Sequence, residues 1–144
     1  MILVPSHRAA KRCALALASV LALVGCNGGT VDRHALKRDS EKISSFAAEG
    51  ELLANDVSKG ATTTIFARVH SKELSVAMSN LADALAERKT SPGIEQKVRR
   101  ASKLAATVSA QFEQLHVHPT DRALAKRLQS AFRADGDAAD KLAK

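Results

Sequence analysis

Residues 62–93 read TTTIFARVHSKELSVAMSNLADALAERKTSPG, and this stretch decides the fold class. Its larger side chains recur every three or four residues, which is the spacing of one face of an α-helix. The predicted stripe consists of Phe66, His70, Leu74, Ala77, Leu81 and Leu85, flanked by Ile65, Val69 and Met78. Threonines at 62–64 provide an N-cap, and Thr90-Ser91-Pro92-Gly93 ends the segment because Pro and Gly interrupt helices. One amphipathic helix is therefore predicted, running to about Lys89.

Similar amphipathic segments lie on both sides of this helix. A first helix is predicted over about 32–58, stopped by Gly60, and a third over about 92–116. A fourth follows Asp121, and Asp135-Gly136-Asp137 is expected to interrupt it. Three short connections between long helices predict an all-α fold over residues 32–144, an up-down-up-down antiparallel four-helix bundle. The alternative is a three-helix bundle with a loosely packed last segment.

Each predicted helix contains one phenylalanine, which suggests how the core is layered. Antiparallel stacking places Phe66 and Phe112 near the same end of the bundle and brings Phe46 and Phe132 together near its middle. We therefore expect all four rings to fill an otherwise Ala-rich core.

The first 25 residues have the pattern of an export signal. Met1–Arg12 carries three positive charges and no acid, and the apolar run that follows, 13–24, is too short to span a bilayer as a stable helix. The run ends in Leu23-Val24-Gly25-Cys26, which resembles the lipobox of bacterial lipoproteins. The alternatives are an ordinary secretory signal or a membrane-anchoring helix with a chance cysteine.

The lipobox resemblance implies a specific processing. The signal, residues 1–25, would be cut between Gly25 and Cys26, a diacylglycerol would be attached to the Cys26 sulfur, and the new amino terminus would be acylated. Residues 26–31 would form the lipidated cysteine and a flexible tether. Two or three acyl chains anchor a protein stably to a membrane. The protein is then expected in the cell envelope, facing the periplasm or the exterior, and Asn27 favours the outer membrane where the cell has one.

Charge and cysteine content limit the partners of the domain. The net charge is +7, of which the leader contributes three, so the remainder carries about +4. This surplus is scattered and lacks stacking aromatics, so we expect no nucleic-acid partner. Basic residues outnumber the acids Asp32, Glu87, Glu95 and Asp140 at the end of the bundle nearest the tether, which either faces anionic headgroups or is an ordinary solvated surface. These basic residues are Arg33, Lys37, Arg38, Arg88, Lys89, Lys97, Lys141 and Lys144.

The most unusual polar residue is His70, which lies on the predicted apolar stripe of the second helix. Counting from Gly60, Glu49 lies at nearly the same level of the first helix. We therefore predict a Glu49–His70 hydrogen bond, with Gly50 allowing the first two helices to approach closely. Such a pair can fix the register of two helices, respond to pH or form part of a binding site.

Two further histidines, His116 and His118, frame the turn between the third and fourth helices. They are weak candidates for a metal site, because a credible Zn or Cu site needs three or four ligands. Glu113 with His116 matches the Glu-x-x-His of di-iron bundles only once and at a helix end, so we do not assign it that role. No metal and no cofactor is predicted.

Downstream of the anchor we find no constellation that indicates catalysis. The sequence lacks a Gly-flanked serine elbow, a phosphate-binding Gly loop and, after processing, any cysteine nucleophile. We predict no catalytic residues and expect a non-catalytic interaction or accessory module of the cell envelope, with an envelope protein as its partner. The alternative is an envelope protein that binds a metal or small ligand through His116 and His118, with His70 as a further candidate ligand.

Overall fold

A computed structural model describes residues 29–144, which form four helices joined by short turns. The helices are α1 (Arg33–Lys59), α2 (Thr64–Glu87), α3 (Glu95–Val117) and α4 (Arg122–Leu142). The predicted all-α four-helix bundle is confirmed. The predicted signal, residues 1–25, and the lipidation position Cys26 lie outside the described residues.

The helices pack as two close pairs, α1 with α4 and α2 with α3. The two pairs contact each other most extensively between α1 and α3. Among the helices that touch, α1 and α2 have the smallest contact. We call the end of the bundle that contains the α2–α3 turn the Val31 end. We call the opposite end, which contains the α1–α2 and α3–α4 turns, the Gly60 end.

Local signals in the sequence set most of the helix boundaries. Side-chain oxygens of Asp32, Thr63 and Asp121 accept hydrogen bonds from the amides of Ala35, Phe66 and Leu124, and so cap α1, α2 and α4. Gly60 ends α1 with a φ of 68°, a left-handed conformation that favours glycine.

The start of α3 differs from the prediction. This helix begins at Glu95 rather than at Pro92, and its N-cap, Ile94, makes no side-chain capping hydrogen bond. Pro92 and Gly93 form a turn in which Gly93 has a φ of 89°, and Thr90, just before it, forms a parallel bridge with Val31. The Val31 amide donates to the Lys89 carbonyl (2.7 Å), and the Ser91 amide donates to the Val31 carbonyl (2.9 Å).

The sequence predicted a flexible tether over residues 26–31. Val31 does not belong to such a tether. Its side chain is fully buried in the hydrophobic core, and its backbone forms an isolated parallel bridge with Thr90. We call this pairing of Val31 with 89–91 the Val31 clamp. It fixes the chain entering α1 to the α2–α3 turn.

The expected interruption of the fourth helix is wrong, since α4 continues through Gly136. A Cβ added at Gly136 would lie 3.6 Å from the Cβ of Ala47 on α1, so this glycine sits where α1 and α4 approach closely. The helix is held there by packing against α1, which outweighs the low helix propensity of glycine.

The predicted layering of the phenylalanines is also wrong. Phe112 and Phe132 are fully buried and pair with each other, with ring centroids 4.7 Å apart. Phe46 is only half-buried, with the Lys42 ammonium 6.0 Å from its ring centroid, and Phe66 is exposed. The aromatic core thus belongs to α3 and α4 alone.

Candidate interaction surface

The structure brings together Glu49 of α1 and His70 of α2, the two residues that the sequence pairs. His70 Nε2 lies 2.7 Å from Glu49 Oε1, and His70 Nδ1 lies 3.9 Å from a carboxylate oxygen of Glu73. The Phe66 ring stacks on the imidazole at a centroid distance of 5.1 Å. His70 is 27% exposed and Glu49 is 45% exposed, so the pair lies at a partly solvated seam.

Gly50 does not act at this seam, contrary to expectation. A Cβ added at Gly50 would come within 2.6 Å of the Phe132 ring, so Gly50 faces α4 rather than α2. The seam between α1 and α2 is accordingly held by polar and aromatic side chains rather than by close backbone approach.

From its start to its middle, α2 exposes four large apolar side chains, of which the sequence pattern had placed Phe66 on the core stripe and Ile65 and Val69 beside it. Ile65, Phe66, Val69 and Val76 are 77%, 52%, 52% and 47% exposed. On α1, one turn beyond Glu49, Leu52 is 67% exposed. We call these five residues the α2 patch. Because α2 starts at the Gly60 end, the α2 patch lies in the half of the bundle away from the Val31 clamp.

The α2 patch is exposed because the core face of α2 is rotated from the predicted one. The buried residues of α2 include Ala67 and Ser71, which replace Phe66 and His70 in the stripe. Together with Leu74, Met78, Leu81 and Leu85 they form an unbroken alternation of four- and three-residue steps. That alternation was the sequence signal that could have identified the true core face.

Small hydroxyl side chains let α2 and α3 approach each other closely. The buried Ser71 hydroxyl donates to the Ala67 carbonyl (2.6 Å) within α2. Between the helices, the Ser109 hydroxyl donates to the Ser75 carbonyl (2.8 Å), and the Ser102 hydroxyl donates to the Ala82 carbonyl (2.9 Å). These side chains are small, and their hydroxyl groups are hydrogen-bonded within the interface. The side of α2 that carries them therefore packs against α3, and the bulkier Phe66 lies on the outside.

Charged groups of both signs lie among the residues of the α2 patch. Arg68, one helical turn after Ile65, and Glu73, one turn after Val69, are both exposed. Lys72, between them, pairs with Glu113 of α3 at 3.1 Å. The hydrogen bond from Lys72 holds the pKa of the Glu113 carboxyl below its usual value.

The structure does not assemble a metal site around the histidines of the α3–α4 turn. His116 Nδ1 lies 3.0 Å from the Arg68 carbonyl oxygen, and His118 is the exposed C-cap of α3. Within residues 29–144, no three His, Cys, Asp or Glu side chains come together in a way that could hold a metal ion. Glu113, one helical turn before His116, is engaged by Lys72.

The Val31 end is rich in basic side chains. A pocket of about 300 Å³ opens there, lined by the basic residues Arg33, Lys97 and Lys144 and the apolar residues Leu36, Ile94 and Leu142. Arg88, at the end of α2, is instead occupied by Asp39 of α1, with a guanidinium nitrogen 2.6 Å from the carboxylate.

Gly25 and Cys26, the predicted cleavage and lipidation positions, precede the described residues. Across residues 29–144, none of the helices combines the length and the apolar character needed to cross a membrane. Comparison with models of protein families, with curated proteins and with solved structures finds no match for this chain.

Proposed function

We propose that this protein is a bacterial lipoprotein, anchored through Cys26, whose helical bundle is a non-catalytic interaction module of the cell envelope. The α2 patch would bind a helix of another envelope protein. The observation that carries this proposal is the exposure of four large apolar side chains on α2, with Leu52 of α1 also exposed one turn from Glu49. Exposed apolar surface is typical of sites that bind other molecules.

The shape of the α2 patch favours a helical partner. Ile65, Val69 and Val76 lie along one stripe of α2 over about 16 Å, eleven residues at the α-helical rise. Lys72 and Glu73 fill the helical turn between Val69 and Val76, so the stripe is apolar at its two ends and charged in the middle, and a partner helix would place apolar residues against those two ends. Arg68 beside Ile65 and Glu73 beside Val69 would favour a partner helix that presents an acidic residue to the first and a basic residue to the second.

The position of the α2 patch is compatible with the anchor. The Val31 clamp ties the beginning of the described chain to one end of the bundle, five residues after Cys26. Five residues span at most roughly 17 Å, so the Val31 end would stay close to the membrane. The α2 patch would then face away from the lipid, where a second envelope component can reach it.

In-cell photo-cross-linking tests the interaction. A photoreactive amino acid would replace Val69 in the α2 patch, and as a control Arg127 on the exposed side of α4. We expect one dominant cross-linked protein at position 69 that is absent at position 127 and disappears when Ile65→Asp is added. No species above background at position 69, or the same species at both positions, would overturn the proposal. A cross-link to a second copy of this chain would replace the envelope partner with self-association.

Mass spectrometry of the protein extracted from membranes tests the anchor separately. We expect a mature chain that begins at Cys26 and carries diacylglycerol, with loss of the lipid in Cys26→Ser. A chain cut elsewhere, or an unmodified Cys26, would overturn the lipoprotein assignment and leave the cross-linking result standing on its own.

A further inference from the structure

The pocket at the Val31 end combines three basic side chains with an apolar floor. Arg33 comes from the first turn of α1, Lys97 from the first turn of α3, and Lys144 follows α4. Leu36, Ile94 and Leu142 line the same pocket. Three separate parts of the chain therefore bring positive charge to one concave site of about 300 Å³.

The three basic side chains of this pocket form no ion pair with another residue of the described chain. Lys144 also lines a neighbouring pocket that contains Asp140. The acids that adjoin Arg33 and Lys97 in the chain direct a carboxylate oxygen at a backbone amide rather than at these cations. Asp32 accepts from the Ala35 amide (2.7 Å), and Glu95 accepts from the Gly93 amide (3.0 Å).

We infer that this pocket binds the phosphate of an anionic phospholipid headgroup and holds the bundle upright on its membrane. Guanidinium and ammonium groups form charge-assisted hydrogen bonds with phosphate oxygens. The apolar floor suits the glycerol backbone and the first methylene groups of the same lipid. Each well-placed Lys or Arg strengthens attraction to an anionic membrane surface roughly fivefold.

The choice of a lipid over a soluble anion follows from the position of the pocket and rests on the proposed anchoring. Arg33 is two residues from Val31, and Gly93, also in the pocket lining, is two residues from Ser91, so the pocket borders the Val31 clamp. A lipid attached to Cys26 would therefore keep the pocket within roughly 17 Å of the membrane surface at all times. A headgroup at such a distance is present at a far higher local concentration than a soluble phosphate.

Lysine footprinting on the anchored protein tests this inference. The protein, purified with its lipid, is placed in nanodiscs of phosphatidylcholine alone or mixed with phosphatidylglycerol, and its lysines are acetylated and counted by mass spectrometry. We expect acetylation of Lys97 to slow several-fold in the anionic discs. Lys126, exposed on α4 near the Gly60 end, is the internal control and should react equally in both.

Matched variants separate a specific pocket from general attraction. Arg33→Glu places an acid in the pocket and should abolish most of the protection of Lys97, whereas Arg38→Glu makes the same charge change at the Val31 end outside the pocket lining and should preserve it. Equal effects of the two variants, or equal acetylation of Lys97 in both disc types, would overturn the inference.

A third condition distinguishes the two sources of phosphate. Glycerol phosphate added to phosphatidylcholine discs should leave Lys97 reactive if the ligand is a lipid. Full protection by the soluble compound would overturn the lipid assignment. The intact mass of each sample shows whether Cys26 carries diacylglycerol, so a missing anchor, which would defeat the proposed function, is not confused with an unprotected pocket.

Discussion

The ring of Phe132 lies directly against the backbone of Gly50. A Cβ placed on Gly50 would be 2.6 Å from two carbons of the ring and 2.8 Å from a third, distances that packed atoms do not reach. The same ring also packs against Phe112, at 4.7 Å between centroids. Gly50 thus provides the space on α1 into which the aromatic pair of α3 and α4 fits.

We predict that Gly50→Ala destabilises the bundle, although alanine is the better helix former. Overpacking a core costs about 1–3 kcal/mol, which exceeds the helix-propensity gain of about 0.5–1 kcal/mol. Gly136→Ala is the control, because its Cβ would meet Ala47 at an ordinary 3.6 Å and should keep the propensity gain. Urea unfolding measures both free energies. A Gly50→Ala protein as stable as Gly136→Ala would show that Phe132 does not depend on this glycine.

The phenylalanines should differ sharply in their contribution to stability. Phe112→Ala removes a fully buried ring and should lower the free energy of unfolding by about 3–5 kcal/mol. Phe66→Ala removes a ring that is 52% exposed and contacts only the seam around His70, so a loss below about 1 kcal/mol is expected. Comparable losses in thermal unfolding would mean that Phe66 belongs to the core after all.

The fold class could be predicted because it depends on signals that are local in the sequence. The three- and four-residue spacing and the stops at Gly60 and at 90–93 persist in the structure. The rotation of α2 was not settled in the same way, although the regular alternation through Ala67 and Ser71 was present in the sequence. Two registers share Leu74, Leu81 and Leu85, and side-chain volume favoured the one that includes Phe66. The structure uses Ala67 and Ser71 instead, because close contact with α3 requires small side chains, and that requirement is tertiary.

The Glu49–His70 pair could be predicted because the α1–α2 turn is short. The two residues lie eleven and ten positions from Gly60, so antiparallel helices bring them to one level. The Val31 clamp could not be predicted, since a single bridged residue produces no periodic pattern in the sequence. The exposure of the α2 patch was not predicted, because it follows from the rotation of α2.

The Glu49–His70 hydrogen bond should contribute little to stability. Both side chains are partly solvated, and such pairs contribute about 0.2–1 kcal/mol. A double-mutant cycle with Glu49→Ala, His70→Ala and the double variant measures the coupling directly. A coupling within this range would mean that the two side chains can separate at little cost and contact a partner bound at the α2 patch. A coupling well above it would identify the pair as a structural clamp between α1 and α2.

Asp135 should make the stability of the bundle depend on pH. Burial raises the pKa of its carboxyl above the usual value, although the Gln111 amide donates to it at 2.6 Å. A group whose pKa is higher in the folded state stabilises the fold most below its unfolded pKa, and this contribution is lost as pH rises through the folded pKa.

We therefore predict that Asp135→Asn raises stability at neutral pH by about 1 kcal/mol. The new amide carries no charge, and it can donate to Gln111 Oε1, which is buried and has no partner among the described residues. The advantage over the wild type should shrink as the solution is acidified. Asp137→Asn, on the exposed side of the same turn, is the control and should change little. A pH-independent difference in urea unfolding would contradict the role given to burial.

The Val31 clamp should be needed for the stability of the Val31 end. Val31→Ala removes two buried methyl groups beside the α2–α3 turn, so a loss of about 1.5–3 kcal/mol is expected. Thr30→Ala changes the exposed neighbour and should be neutral within about 0.5 kcal/mol. Hydrogen exchange of the Ser91 amide, which donates to the Val31 carbonyl, reports the clamp locally and should accelerate in Val31→Ala only. Unchanged exchange would mean that the α2–α3 turn keeps its shape without Val31. The chain that leads to Cys26 would then not be fixed to this end of the bundle by the Val31 clamp.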